Sequence, residues 1–317
     1  MSRFHKLIGF LLLSTLIVGG TWAQSHRKPP NKRPPKKWDQ SLLDVFFKDI
    51  RSEVGPGQPG TAPRMTASNN ASGASGTGAN TGNPSSGFAW SSITSTETLE
   101  DEIKKIVLDL EETVESPGRF KSGRHNDARR MFSVAAVMFA VIDEYDTDVR
   151  FKENAAGLRD ATAKAGVNCK VNTDAAYNDA RGKFEQLQEI IRGANVEVAV
   201  PEESLPYSEV AEYGPIMQRI EKGFLEIVQP GVSSTAEFRD KKEQLLHEAE
   251  MMAIFARVIN DESYGYSSID TFKEMADELQ AQSLALAAAA KNNDLDAAQS
   301  AVGAIDQACT KCHADNR

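Results

Sequence analysis

The octapeptide Phe-Lys-Glu-Asn-Ala-Ala-Gly-Leu at residues 151–158 returns as Phe-Lys-Glu-Met-Ala-Asp-Glu-Leu at residues 272–279, with five identical positions. A second pair of similar segments precedes these in the same order, at residues 139–144 and 255–261. In both segments Phe-Ala comes shortly before Val-Ile and two acidic or amide residues. Two matched pairs in the same order indicate an internal repeat. The chain is therefore predicted to contain two copies of one structural unit.

Each copy has the periodicity of amphipathic helices, because apolar residues recur every three or four positions from Thr96 onward. The predicted helices lie near residues 97–115, 121–145, 149–166, 174–192, 215–228, 235–261, 267–291 and 294–315. Four amphipathic helices with short connections form an up-down bundle. The sequence therefore predicts an all-α fold of two tandem four-helix bundles, residues 96–193 and 207–317, joined by a connector over residues 194–206.

The first 23 residues have the layout of a secretory signal peptide. A basic start is followed by an apolar stretch from Leu7 to Gly20, and small residues then precede Gln24 at the expected cleavage site. An uncleaved membrane anchor is the alternative interpretation of the apolar stretch. In either case we expect the rest of the chain to be exported, to the periplasm or an equivalent compartment.

Three further segments precede the first bundle. Residues 24–37 alternate prolines with Lys and Arg, which predicts an extended basic tail. Residues 38–54 carry an apolar stripe at helical spacing and are predicted to form a short amphipathic helix. This stripe is expected to dock on the protein's own bundle, or else residues 26–54 make a peripheral contact with a partner or an anionic surface. Residues 55–95, rich in Gly and Ser, are predicted to be a flexible linker.

The charge balance restricts the class of partner. The chain has 317 residues, 40% hydrophobic and 26% charged, which is ordinary for a protein that buries a core. The formal net charge is −9, yet residues 1–38 contain only basic charged side chains, so the rest of the chain is more acidic still. An acidic body argues against nucleic acid as a partner.

Residues 309–313, Cys-Thr-Lys-Cys-His, form a C-x-x-C-H motif, the pattern of covalent haem c attachment. Positions i and i+3 share one face of a helix, so both thiols can reach one porphyrin, and His313 can be the proximal ligand of the iron. A redox-active cysteine pair is expected near a βαβ pattern, which the sequence lacks, and a zinc site needs a second ligand pair. The motif therefore predicts one covalently attached haem c per chain, held by Cys309, Cys312 and His313.

A helical bundle with C-x-x-C-H in its last helix resembles a class II cytochrome c, the cytochrome c′ family. In that family an aromatic residue and an Arg closely follow the motif. Arg317 matches that Arg, while Asn316 stands where the aromatic is common. The resemblance covers residues 207–317 directly and residues 96–193 only through the internal repeat. It implies a haem-bearing C-terminal bundle, with Arg317 among the residues near the haem.

The first copy lacks the residues of the haem motif. The residues aligned with the two cysteines and the histidine are Ile191, Ala194 and Asn195, and none of them can attach a haem. We therefore expect a haem-less first bundle with a structural or docking role. The third cysteine, Cys169, is expected to be a plain thiol, and an intermolecular disulfide is the alternative.

The resemblance implies that the sixth position of the iron decides the function. Some members of the family leave it open beside an apolar side chain, and others place a Met there. The stripe at the start of the second copy, which resembles that of the Met-ligated members, consists of Met217, Ile220, Phe224 and Ile227. The first copy has Ile103 where the second has Met217. Met217 is the candidate distal iron ligand, although a Met on an apolar face is also a common core residue. His247 is interpreted as a surface residue rather than a ligand.

Three functions remain open at the level of the sequence. The first is one-electron transfer with a periplasmic redox partner protein, through a haem with His313 as proximal and Met217 as distal ligand. The second is binding of NO or CO at an open distal site. The third is an interaction protein in which the haem is mainly structural. We expect no enzymatic turnover, because no nucleophile-base pair forms a readable motif. The family resemblance also implies a homodimer, unless the first bundle takes the place of a second protomer.

Overall fold

Eight long helices form the framework of the residues that the computed structural model describes, which are 88–194, 196 and 198–315, with the backbone alone for Asp315. The first four are α1 (Thr96–Thr113), α2 (His125–Glu144), α3 (Ala155–Asn168) and α4 (Asp174–Ile191). The second four are α5 (Tyr213–Gly223), α6 (Lys242–Ile259), α7 (Asp270–Asn292) and α8 (Leu295–Asp315). The shorter helical segments are Trp90–Ser92, Pro117–Arg119, Phe120–Arg124, Lys152–Asn154, Tyr207–Val210, Phe224–Val228, Gln229–Gly231, Thr235–Asp240 and Gly265–Ser268. The predicted all-α fold is confirmed, since no described residue lies in a strand.

The predicted signal peptide, basic tail and amphipathic helix lie outside the described residues, as do residues 55–87 of the predicted linker. The described chain begins at Phe88, within that linker, and it packs from there onward. Trp90 is 3% exposed and its indole N–H donates to Glu144 at 3.0 Å. Residues 88–95 therefore pack on the helices of both bundles, since Ser95 also donates to Glu250 on α6. No helix in the described ranges combines the length and apolar character needed to cross a bilayer.

The helix boundaries follow from local capping chemistry. Ser95 caps α1 by accepting from the backbone N–H of Thr98, and Thr173 caps α4 in the same way from Ala176. Asn293 ends α7 in the left-handed region with a φ of 57°, and Asp294 then accepts from the N–H of Ala297 at the start of α8. These caps keep the α7–α8 connection short, so the two helices pack side by side.

Helices α2 and α6 contain nearly continuous apolar stretches, and these parts of the two helices are therefore buried on almost all sides. Helix α2 packs on α1 and α3 of its own bundle and also on α5 of the second bundle. Helix α6 packs on α7 and α5, and it also contacts α1 of the first bundle. All described residues belong to one compact unit, and the two bundles contact each other inside it.

A buried charged cluster lies where the bundles meet. The guanidinium of Arg219 on α5 donates to both carboxylate oxygens of Glu102 on α1, at 2.7 and 2.9 Å. It also donates to both oxygens of Glu248 on α6, at 2.6 and 2.9 Å. His247 Nε2 lies 2.9 Å from Glu102. Burial alone would raise the pKa of Glu102, but the charge of Arg219 and the hydrogen bonds from His247 and Arg219 hold that pKa well below its ordinary value.

Candidate functional site

A cavity of about 560 Å³ opens between α5, α7 and α8 in the second bundle. Its lining is mostly apolar and aromatic, as in most sites for small molecules and cofactors. Three of the lining residues are those of the predicted haem motif: Cys309, Cys312 and His313. The predicted haem motif therefore faces an apolar cavity.

Helix α8 supplies the wall that carries the motif. Cys309 and Cys312 lie one turn apart and are half-buried, while His313 is exposed at the cavity. Burial, with a smaller contribution from Asp306, raises the pKa of the Cys309 thiol to about 11. Redox-active cysteines need a lowered pKa instead, so the geometry does not favour a cysteine redox pair. No group of three or more His, Cys, Asp or Glu in the described ranges is arranged as a metal site of its own.

Helix α5 supplies the wall that carries the candidate distal ligand. Met217, Ile220 and Phe224 line the cavity, as the predicted stripe requires. Ile227 does not; it lines a separate polar cleft between α1, α5 and α6. The reason is that α5 runs into a π-helical turn, Phe224–Val228, whose wider turn displaces the following side chains.

The same π-helical turn brings a residue to the cavity that sequence reasoning missed. Leu225 lines the cavity and is 54% exposed. A large apolar side chain in that setting can cover a bound apolar group. No local sequence signal indicates a π-helical turn here, so only the three-dimensional structure identifies Leu225.

Three aromatic rings at one side of the cavity were also missed. Tyr213, Tyr266 and Phe272 surround a common point, with ring centroids 5.5 to 5.9 Å apart. The Tyr213 hydroxyl donates to the carbonyl of Ile259 at 3.2 Å. Burial raises the pKa of Tyr213 to about 12, so its hydroxyl stays neutral. The rings form an aromatic wall, and the hydroxyl of Tyr213 is directed at the backbone.

The residues present fit a haem. Two thiols one turn apart, an adjacent imidazole and a thioether from another helix all line one apolar cavity. The aromatic and aliphatic walls suit the faces of a porphyrin. The prediction that these site residues bind a haem stays a prediction, and the geometry is compatible with it.

The other residues singled out in the sequence lie elsewhere. Lys311, which precedes Cys312 within the C-x-x-C-H motif, is exposed in a neighbouring depression, beside the acidic residues of α7. Arg317 lies outside the described residues. His247 lies at the contact between the bundles rather than at the cavity. Cys169 is fully buried, and burial raises the pKa of its thiol to about 12.

The first bundle has a different arrangement at the corresponding place. Helix α4 ends at Ile191, and Gly193 then has a φ of 86°, so the helix stops before the positions aligned with the second cysteine and the histidine. The connector folds back onto α3, where a Cβ on Gly157 would lie 2.5 Å from Val198 Cγ1. The equivalent segment of α7 carries Leu279, which lines the cavity. Gly157 aligns with Glu278, which lies in the depression beside the cavity rather than in the cavity itself, and a haem-less first bundle stays a prediction.

Comparison with known families gives one match. The family model of cytochrome C′ matches residues 262–317, which comprise helices α7 and α8 and the turn before them. The match is consistent with a class II cytochrome c in this part of the chain, and it implies a haem cofactor. No curated protein and no solved structure matches the chain.

Proposed function

We propose that this protein is an exported c-type cytochrome that carries one electron at a time. Cys309 and Cys312 would attach one haem covalently, His313 would be its proximal ligand and Met217 its distal ligand. The observation that carries the proposal is the shared cavity, because α8 and α5 bring these four side chains to one site. The match of residues 262–317 to the cytochrome C′ family supports the haem assignment.

The protein's own contribution is to hold the cofactor and to control its surroundings. When bound, the haem would supply a one-electron redox couple at its iron. The rings of Tyr213, Tyr266 and Phe272 line one side of the cavity, and Leu225 lines it from α5's π-helical end, so these apolar groups would limit water beside a bound haem. A Met thioether ligand and an apolar site that excludes water both raise the reduction potential of a haem. They also favour the same pair of iron ligands in both redox states.

The surface around the cavity suits a basic redox partner. Glu221 and Asp306 are exposed at the cavity, and the neighbouring depression on α7 carries Glu274, Asp277 and Glu278. Opposite charge speeds the encounter of two proteins and is screened by salt. Electron exchange with a basic partner should therefore slow by about tenfold when the ionic strength rises from about 0.01 to 0.15 M. A rate that is insensitive to salt would argue against this face.

Absorption spectra of the exported holoprotein, oxidised, reduced and reduced under CO, test the proposal. We expect sharp bands in the reduced state that CO does not change, because Met217 closes the iron. Met217→Ile, which copies Ile103 of the first bundle, should open the site to CO. Met275→Leu is the matched control, because Met275 lines the same cavity from α7.

The remaining outcomes assign the other functions. If CO changes the spectrum of the unmodified protein, the distal position is open and binding of a diatomic gas replaces electron transfer. If Cys309→Ser with Cys312→Ser leaves the protein exported, folded and active towards its partner, that activity does not need the attached haem and the protein is an interaction protein. If the exported chain contains no covalent haem, the proposal is wrong.

A further inference from the structure

Helix α5 lies between the two bundles and has two different faces. One face, with Met217, Ile220 and Phe224, lines the cavity. The other face, with Ile216, Arg219 and Gly223, is buried at the contact with the first bundle and with α6. These two sets alternate at helical spacing, so the orientation of α5 about its axis sets both contacts at once.

Arg219 is the main polar contact on the second face. All three of its guanidinium nitrogens donate, to Glu102 from the first bundle and to Glu248 from the second. A planar guanidinium between two carboxylates allows little rotation, because each bidentate pair fixes the plane of the group. Arg219 is only two residues from Met217, so this contact also restricts the candidate iron ligand.

Gly223 allows the close approach that this contact needs. A Cβ at this position would lie 2.8 Å from Nη1 of Arg219 and would also overlap the carboxylate of Glu248. The π-helical turn Phe224–Val228 follows directly. The α5 helix is thus held by charge in its middle, and its regular geometry ends one residue after the contact.

From this arrangement we infer that the first bundle is a positioning domain for the distal side of the cavity, and that Glu102 is its positioning residue. Glu102 acts through Arg219: it fixes the rotation of α5 and so keeps Met217 at the cavity. A rotation by one residue, about 100°, would turn Met217 away from the cavity. A metal ligand has to be held to within about 0.5 Å, which a solvent-exposed single helix would not provide. The inference rests on the proposed function, in which Met217 is the distal ligand.

The test uses Glu102→Gln in the full-length holoprotein, with two measurements. We expect CO to bind the reduced haem of the variant at least about tenfold faster than that of the unmodified protein. The rate of CO binding reports the fraction of molecules in which Met217 is away from the iron. We also expect the backbone amides of α5 to exchange hydrogen about tenfold faster, while those of α7 keep their rates. Asp101→Asn is the matched control, because Asp101 is the neighbouring carboxylate on α1 and pairs with Lys104 on the surface.

Glu102→Asp is the second variant, in case the Gln variant does not fold. It keeps the negative charge but shortens the side chain by one methylene, and we expect an intermediate rate of CO binding. Unchanged CO binding together with unchanged exchange in α5 would overturn the inference. If the unmodified protein already binds CO, the proposed function fails instead. The exchange of α5 then decides alone whether the first bundle positions this helix.

Discussion

Removing the shared cation of the buried cluster should strongly destabilise the protein. In Arg219→Met the apolar stem is retained, but Glu102 and Glu248 are left buried without a positive partner. They are 1% and 6% exposed, so water cannot easily replace the guanidinium. Breaking a buried ion pair from one side costs about 3–5 kcal/mol. For a unit of this size the melting temperature should fall by about 6–20 °C, at roughly 2–4 °C per kcal/mol.

The pH dependence gives this prediction a distinctive sign. In the unmodified protein the pKa of Glu102 is held low, so its stabilising contribution is complete above its unfolded pKa of about 4.3 and is lost as the pH falls further. Without Arg219, the main cause that lowers the pKa of Glu102 is lost, and burial should raise that pKa above the unfolded value. The variant should then recover about 1 kcal/mol or more between about pH 7 and pH 5.

Urea unfolding followed by far-ultraviolet circular dichroism, on the full chain at both pH values, measures these changes. Lys104→Met is the control, because Lys104 makes only surface pairs with Glu100 and Asp101 and should change stability by less than about 1 kcal/mol. A loss below about 1 kcal/mol for Arg219→Met, or a loss that grows as the pH falls, would refute this account of the cluster.

Three further predictions concern other parts of the molecule. Gly157→Ala should cost about 1–3 kcal/mol in urea unfolding, because its Cβ would meet the connector, whereas Gly182→Ala on open α4 should be neutral or stabilise by up to about 1 kcal/mol. Cys169 should react with a thiol reagent about 100-fold more slowly in the native than in the unfolded protein, because its thiol is buried and its pKa is raised to about 12; equal rates would contradict this. In the holoprotein Asp306→Asn should raise the reduction potential by about 10–30 mV, since a negative charge beside the cavity favours the oxidised cofactor. Asp296→Asn, at the far end of α8, should leave the potential unchanged in the same titration.

The inference about Glu102 would give the first bundle a role that the sequence left open. A structural or docking role was all that its missing haem motif could indicate. The structure adds that its helices α1 and α2 contact α5, the helix that carries Met217. If Glu102 positions Met217, the first bundle acts on the cavity of the second through packing and charge.

Most of the fold was accessible from the sequence because its signals are local. Apolar spacing and caps placed most ends of the long helices to within a few residues. Helix α3 begins six residues later than predicted and α5 ends five residues earlier, while α2 and α6 begin four and seven residues later. There the chain first forms separate short segments, Phe120–Arg124 and Thr235–Asp240. A φ of 131° at Gly123 interrupts the first of these regions, and that conformation has no periodic signature.

The candidate site was likewise predicted only in part from the sequence. The C-x-x-C-H motif and Met217 were recognised because residue type and spacing carry their chemistry. The sequence did not predict that Ile227 lies outside the cavity or that Leu225 lines it, because both follow from a π-helical turn. It also did not predict the ring cluster around Tyr213, which forms through contacts between separate elements.

The sequence by itself determined the helices and the haem motif, since each depends on residues within a few positions of one another. Only the tertiary structure decided that α5 lies between the bundles and that Arg219 joins them. Glu102 and Arg219 are 117 residues apart in the chain, and no local pattern pairs them. Their contact forms because the apolar faces of the two bundles pack together, and charges buried by that packing are stable only when they are paired.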